Sequence, residues 1–467
     1  MRRWLKRAPG LLLVGVTACA YYNGLYNANR LVGEAEKAQR EGRSGEARSL
    51  WSQAAVKAES VATRYPKSKW RDDALYLWGQ GLMEAGECRA AENPLALAVD
   101  SSPDPKLRHS ARLILGECLM QRRRYDSAIT VLTAVTAQDD EALVARGHLL
   151  RGRAEIERSR FGAAVSDLEQ ADADSAAFDL AKAYVALGRA DDAERVLDAR
   201  VPGPFGEQAW HDALDVLGGA RQPAASRIVD RLITRRDLTS GERARFLLAD
   251  GTRWAAIGEP GRASERYALA QSAAPDSAES AAARVELALA ELRETGDIDR
   301  FLELVDVIQA ARSRGGAATQ AAVPYLPALQ TAAVAVRDPG IDPTGAVTFG
   351  ITEFLRDSLG AERLAVALLW RLQRDHPESF VAPKALLAVA AHDPEAADSA
   401  LGVLERQYPE SPYRLALLGG GGAEYAAAED SLRVLIALGL GGEAGVEGEG
   451  EGVVREGVEE ERRGRRP

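Results

Sequence analysis

Thiols and imidazoles are the scarcest reactive groups in this chain, and their spacing limits the chemistry open to it. There are three cysteines, Cys19, Cys88 and Cys118, and five histidines, His109, His148, His211, His376 and His392. No C-x-x-C pair occurs and no two histidines stand three or four residues apart, so no metal-ligand set and no other cofactor is expected. The glycine clusters Gly315-Gly316 and Gly419 to Gly422 lack the Lys-Ser/Thr that a phosphate loop requires. Neither a G-x-S-x-G elbow nor an H-E-x-x-H helix is present. Carboxylates are abundant, but most of them fall on faces that read as solvated helix surface. The sequence therefore assigns no catalytic residue and reads as a binding protein; an enzyme with an unrecognised site is the remote alternative.

Cys19 is set apart by what precedes it. Arg2, Arg3, Lys6 and Arg7 make a basic start, and Leu11 to Val16 make a short apolar run behind Pro9-Gly10. That is the layout of a secretory leader, too short to span a bilayer. It ends in Val16-Thr17-Ala18-Cys19, which resembles the lipobox of bacterial lipoproteins. The resemblance implies that residues 1–18 are a removed signal peptide, that Cys19 is lipidated as the new N-terminus, and that residues 19–27 are a tether. Ala20 in place of an aspartate implies, by the same resemblance, the outer membrane and its periplasmic face. Nothing after the leader has eighteen consecutive apolar residues, so no later segment is expected to span.

The formal charge is −10 and becomes more negative once the four leader cations are removed. An acidic exported chain is a poor match to nucleic acid, which selects basic surface. Nor does the sequence suggest a small-molecule substrate.

One spacing organises most of the chain: a small residue, a bulky one three later, glycine at seven, alanine at twelve, a bulky residue at sixteen, alanine at nineteen and proline at twenty-four. Gly79, Leu82, Gly86, Ala91, Leu95, Ala98 and Pro103 follow it, as do Gly251, Trp254, Gly258, Ala263, Tyr267, Ala270 and Pro275. Ala385, Ala388, Ala397, Leu401, Leu404 and Pro409 follow it with His392 in the glycine's place. The pattern predicts two helices meeting at a tight turn, with small residues permitting close approach and proline ending the second helix. It resembles the tetratricopeptide repeat, a helix pair that stacks into a solenoid. Weaker copies fill the gaps, giving roughly eight to ten helix pairs. The expected fold is all-α, a right-handed α-solenoid.

The solenoid is expected over 28–310, an irregular bridge or hinge over 311–345 where Pro324, Pro327, Pro339 and Pro343 cluster, and further helix pairs over 346–417. Trp210 to Leu232 reads as a degenerate pair, and the register is unassigned between 200 and 245. From 418 to 467 the composition collapses to Gly, Glu and Arg, and this tail is expected to be partly or wholly disordered.

The first third is similar to the lipoprotein component of the outer-membrane β-barrel assembly machinery (the BamD or YfiO family). The likeness is carried by the lipobox, a Tyr-rich segment, a first helix pair, and Arg64-Tyr65-Pro66-Lys67-Ser68-Lys69-Trp70-Arg71-Asp72-Asp73-Ala74-Leu75-Tyr76. Its Tyr-Pro-x-Ser step recurs as His376-Pro377-Glu378-Ser379 and Tyr408-Pro409-Glu410-Ser411. The resemblance implies protein or peptide partners, among them barrel-assembly components; an adaptor for cell-wall synthesis or division is the alternative. Repeat geometry places Asp73, Tyr76, Gln80, Met83, Glu117, Met120 and Gln121 on the face formed by the first helix of each pair, the expected partner groove. Cys88 should start one second helix beside the end of the next first helix, which carries Cys118. A disulfide or two packed thiols would both fit, and without a Cα separation the packed thiols are the preferred reading.

Overall fold

A computed structural model of the chain describes residues 8–137 and 140–439, with side chains from residue 24 onward except 317 and 318. Among the described residues there are 22 α-helices and no strand, divided between two compact units, 1–237 and 238–467. The fold is an all-α solenoid of helix pairs.

Unit 1 contains α1 (Ala8–Arg40), α2 (Ser44–Arg64), α3 (Arg71–Glu84), α4 (Cys88–Ser101), α5 (Pro105–Gln121), α6 (Tyr125–Thr133), α7 (Glu141–Glu157), α8 (Phe161–Leu168), α9 (Ala173–Ala186), α10 (Ala190–Arg200) and α11 (Glu207–Leu232). Each packs on the next, and the first helices α3, α5, α7, α9 and α11 also touch in series. The seam follows from the sixteen-residue spacing. A Cβ on Gly116 would sit 2.7 Å from Leu132 Cδ2, and one on Gly152 would sit 2.6 Å from Leu168 Cγ. Glycine here is a requirement of close approach, and the leucines it admits are fully buried.

The turn inside each pair is also one motif. Gly86 N–H donates to Met83 O and Glu87 N–H to Leu82 O, closing the paired bonds of a left-handed helix stop. Gly42, Gly188 and Gly258 repeat it at φ of 74°, 73° and 80°. Arg123 and Ser159 occupy the same position at φ 57° without being glycine. Left-handed backbone is strained for residues with a Cβ, and both side chains are exposed. Arg123→Gly and Ser159→Gly should therefore each stabilise the protein by roughly 0.5 to 1 kcal/mol, read as an upward shift of the denaturation midpoint.

Several expectations change here. Residues 19–27 belong to α1, and Leu25 and Ala28 are buried in the core with Val61 and Leu77. The described helix leaves no separate tether there, because these apolar positions continue the helical stripe. Residues 1–7 and the Cys19 side chain lie outside the described residues. No helix among the described residues is long and apolar enough to cross a membrane. The 28–310 stretch divides between Asp237 and Leu238, within the region whose register the repeat pattern could not assign. There the span of α11 is two helical segments that meet at Arg221 (φ −157°, ψ 79°), in keeping with a degenerate pair, two residues before Pro223, whose ring and missing N–H break the ladder.

Unit 2 contains α12 (Ser240–Ala256), α13 (Pro260–Ala273), α14 (Ala278–Glu294), α15 (Ile298–Gly315), α16 (Leu326–Arg337), α17 (Ala346–Phe354), α18 (Glu362–Asp375), α19 (Val381–His392), α20 (Ala397–Gln407), α21 (Pro412–Leu417) and α22 (Gly422–Gly439). The 311–345 stretch is not an irregular hinge. It holds the end of α15, two short 3-10 turns and α16, whose Leu329, Ala332, Ala333 and Val336 join the buried cluster of Val285, Phe301 and Ile308. Pro327 and Pro339 sit at helix starts, where a missing N–H costs little, and Pro324 and Pro343 lie in the turns leading into α16 and α17. Leu401, expected in the seam, is exposed, while Ala400 and Leu404 point inward. The turn after His392 lacks the left-handed glycine, and in the following helix Ala400 takes the inward place expected of Leu401 while Leu404 keeps its own. The expected tail is folded as far as Gly439: Leu432 of α22 is buried, and a Cβ on Gly350 of α17 would lie 2.6 Å from Ile436. Residues 440–467 lie outside the described residues.

Candidate functional site

Three first helices of unit 1, α1, α3 and α5, surround a cavity of about 340 Å³. Leu25 and Asn29 come from α1, Trp70, Asp73 and Tyr76 from the start of α3, and Lys106 from the start of α5. Each start is fixed locally. Ser68 Oγ accepts from Trp70 N–H at 3.2 Å, closing the turn that follows Tyr65-Pro66. Asp104 caps α5 by accepting from Lys106 N–H at 2.9 Å. Asn29 is pinned back on its own helix, donating to Leu25 O at 3.1 Å.

The cavity combines ring surface with carboxylate. Burial raises the Asp73 carboxyl above its ordinary range, and the neighbouring charges of Asp72 and Asp104 add to this. Burial likewise raises the Tyr76 phenol. Lys106 is mostly exposed and lies 3.5 Å from Asp140, so it weakly offsets the acidic character. Carboxylates beside Tyr and Trp rings can accept N–H groups of an extended polypeptide while its side chains lie on the rings. Among the described residues no group of three His, Cys, Asp or Glu side chains is placed to hold a metal.

Of the seven residues expected on the groove face, the structure brings Asp73 and Tyr76 into this cavity. Met83 packs, like Tyr76, against the core shared by α1 to α5, while Met120 packs against the next cluster. Glu117 is engaged by Arg146 of α7. Gln80 is half-buried and does not line the cavity, and Gln121 is exposed. Sequence reasoning places Leu25 in the 19–27 tether and singles out neither it nor Asn29; the apolar spacing Leu25, Ala28, Val32 is the available signal for a helix face there. Asp167 and Asp250 depart from the solvated-carboxylate reading. Asp167 is buried between Arg151 (2.8 Å) and His148 (2.9 Å), and Asp250 between Arg266 (2.9 Å) and Arg253 (3.2 Å). Both are neutralised core anchors, each surrounded by its own partners.

Cys88 at the start of α4 and Cys118 near the end of α5 are joined as a disulfide, their Cα atoms 4.9 Å apart. The preferred reading of two unlinked thiols is thereby replaced. Antiparallel packing of α4 on α5 brings a helix start beside a helix end, a separation that chain order cannot express in ångströms.

A model of the tetratricopeptide repeat-like domain matches residues 8–175, which include α1 to α8 and the cavity. No match was found among curated proteins. Among solved structures, the chain is similar at 14% identity and a TM-score of 0.36 to a tetratricopeptide repeat protein from Parabacteroides merdae, over 53% of this chain and 93% of that one. It is similar at 15% identity and 0.31 to the Naa15/Naa10 structure bound to HypK-THB, over 87% of this chain but only 63% of that one. The similarity to a Rap protein complexed with competence and sporulation factor is 14% at 0.27, over 72% and 99%.

Proposed function

We propose that this chain is a membrane-anchored tetratricopeptide scaffold of the bacterial envelope, which holds an extended segment of a protein partner in the α1/α3/α5 cavity during outer-membrane protein assembly. The observation that carries this reading is the composition of the cavity: ring surface and raised carboxyl on helices of a tetratricopeptide-like domain, with α1 forming one wall. The same helix carries Cys19. At 1.5 Å rise per residue, Cys19 and Asn29 are separated by roughly 15 Å along the axis, so a lipid on Cys19 would hold the cavity close to the membrane surface.

The test couples the two halves. Cys19→Ala should release the protein from washed membranes into the soluble fraction. Asp73→Asn with Tyr76→Ala should leave it on the membrane but cut partner recovery from solubilised membranes by roughly thirtyfold, the scale of a central contact residue. A Cys19→Ala protein that stays membrane-bound in high salt would remove the anchor. Undiminished capture by the double variant would remove the cavity, and recovery of peptidoglycan synthases in place of barrel-assembly proteins would transfer the scaffold to cell-wall synthesis.

A further inference from the structure

Unit 2 holds a cavity of about 760 Å³ built by a duplicated sequence step. His376-Pro377-Glu378-Ser379 leads into α19, and Tyr408-Pro409-Glu410-Ser411 leads into α21. The two copies fold alike. Ser379 N–H donates to His376 O at 3.0 Å and Ser411 N–H to Tyr408 O at 3.1 Å. Ser379 Oγ then accepts from Val381 N–H and Ser411 Oγ from Tyr413 N–H. They are also tied to each other, because Tyr408 Oη donates to Pro377 O at 2.9 Å. The proline and glutamate of each copy thereby line one cavity, with Phe380 and Tyr413.

The lining has a definite chemical character. Phe380 keeps 37% of its surface exposed. Lys384, over the Tyr413 ring at 5.5 Å, is neutralised by Glu429 at 2.8 Å. Arg414 of α21 is taken up by Pro409 O and Glu405. Glu378 and Glu410 are exposed, and neither forms an ion pair among the described residues. Carboxylates without partner cations, set over proline and ring surface, are complementary to a basic side chain whose stem lies on that surface. The first copy of the step, Tyr65-Pro66-Lys67-Ser68, has lysine where these have glutamate, so the acidic lining is particular to unit 2.

We propose that this groove binds an extended peptide segment bearing arginine or lysine beside proline or another apolar residue, with the cation held by Glu378 and Glu410 and the apolar residue on Phe380. The site is separate from the α1/α3/α5 cavity and stands whether or not that cavity binds a partner. Fluorescence anisotropy on the full chain tests it, using a labelled nonapeptide with two arginines flanking Pro-Leu-Pro and its counterpart with glutamates in place of the arginines. The arginine peptide should bind and the glutamate peptide should not. Glu378→Gln with Glu410→Gln, which preserves shape, should weaken the arginine peptide about tenfold, while Asp73→Asn with Tyr76→Ala should leave it unchanged. Glu378→Lys with Glu410→Lys should reverse the preference. Equal binding of both peptides, full affinity in the glutamine variant at unchanged melting temperature, or no binding at millimolar peptide would each overturn the assignment.

Discussion

Replacing Cys88 and Cys118 together by alanine should lower the stability of the oxidised protein by roughly 3 to 4 kcal/mol. The bridge closes a loop with a sequence separation of 30, containing all of α4 and most of α5. In the chain-entropy account, the loss comes from freeing that loop in the unfolded ensemble, so the folded helices should keep their ellipticity. Both cysteines are buried, and alanine leaves no unsatisfied hydroxyl in their place. Denaturant titrations with and without reductant provide the check. Reductant should destabilise the parent by nearly the full amount and the double variant not at all. A parent indifferent to reductant, with two thiols titrating after denaturation, would show that the bridge does not form.

The second large effect is at the helix seam. Gly116→Ala should destabilise by about 1 to 3 kcal/mol, although alanine is the better helix former. The added Cβ would come within 2.7 Å of Leu132 Cδ2 and 2.8 Å of its Cγ, and Leu132 is fully enclosed with no space to retreat. Leu132→Ala alone should cost about 2 to 5 kcal/mol through the cavity it leaves. Combined, the two should cost less than their sum, because the methyl enters the vacated space, with a coupling of about 0.5 to 3 kcal/mol. Gly162, in α8, is the control: nothing lies within 4 Å of its added Cβ, so Gly162→Ala should be neutral or stabilising. Strict additivity at Gly116 and Leu132, or equal effects at Gly116 and Gly162, would refute close approach as the reason for the glycine.

How much was legible in the chain depends on the range of the interaction. The small residue at Gly79, Gly116, Gly152 or Gly251 and its bulky partner sixteen residues on belong to one helix pair, and their contact is set by two helices and a short turn. Such pairs can be read from spacing. The turn glycines at Gly86, Gly188 and Gly258 were equally legible, since positive φ is a local demand. At Arg123 and Ser159 the residue type gave no sign of it, yet neighbouring helix geometry holds the same backbone conformation.

The candidate sites were only half legible for the same reason. Asp73 and Tyr76 could be placed on the first-helix face by counting within α3, whereas Gln80, Met83, Glu117, Met120 and Gln121 share that face without lining the cavity. A helix face defines direction; a cavity depends on where three helices diverge. The duplicated Pro-Glu-Ser step was visible as a helix-stop device, but the Tyr408 bond to Pro377 that joins its two copies is made by folding.

The sequence by itself determined the all-α repeat, the close seams and the tight turns, because these arise from contacts within some thirty residues, where period and residue size are sufficient. Only the tertiary structure decided that α1 walls the first cavity, that α16 packs where prolines suggested a hinge, that α22 docks on α17, and that Cys88 and Cys118, expected side by side, come within bonding distance. Each of these depends on the distance between surfaces of different helix pairs, a quantity set by the summed packing of the stack rather than by any one segment's pattern.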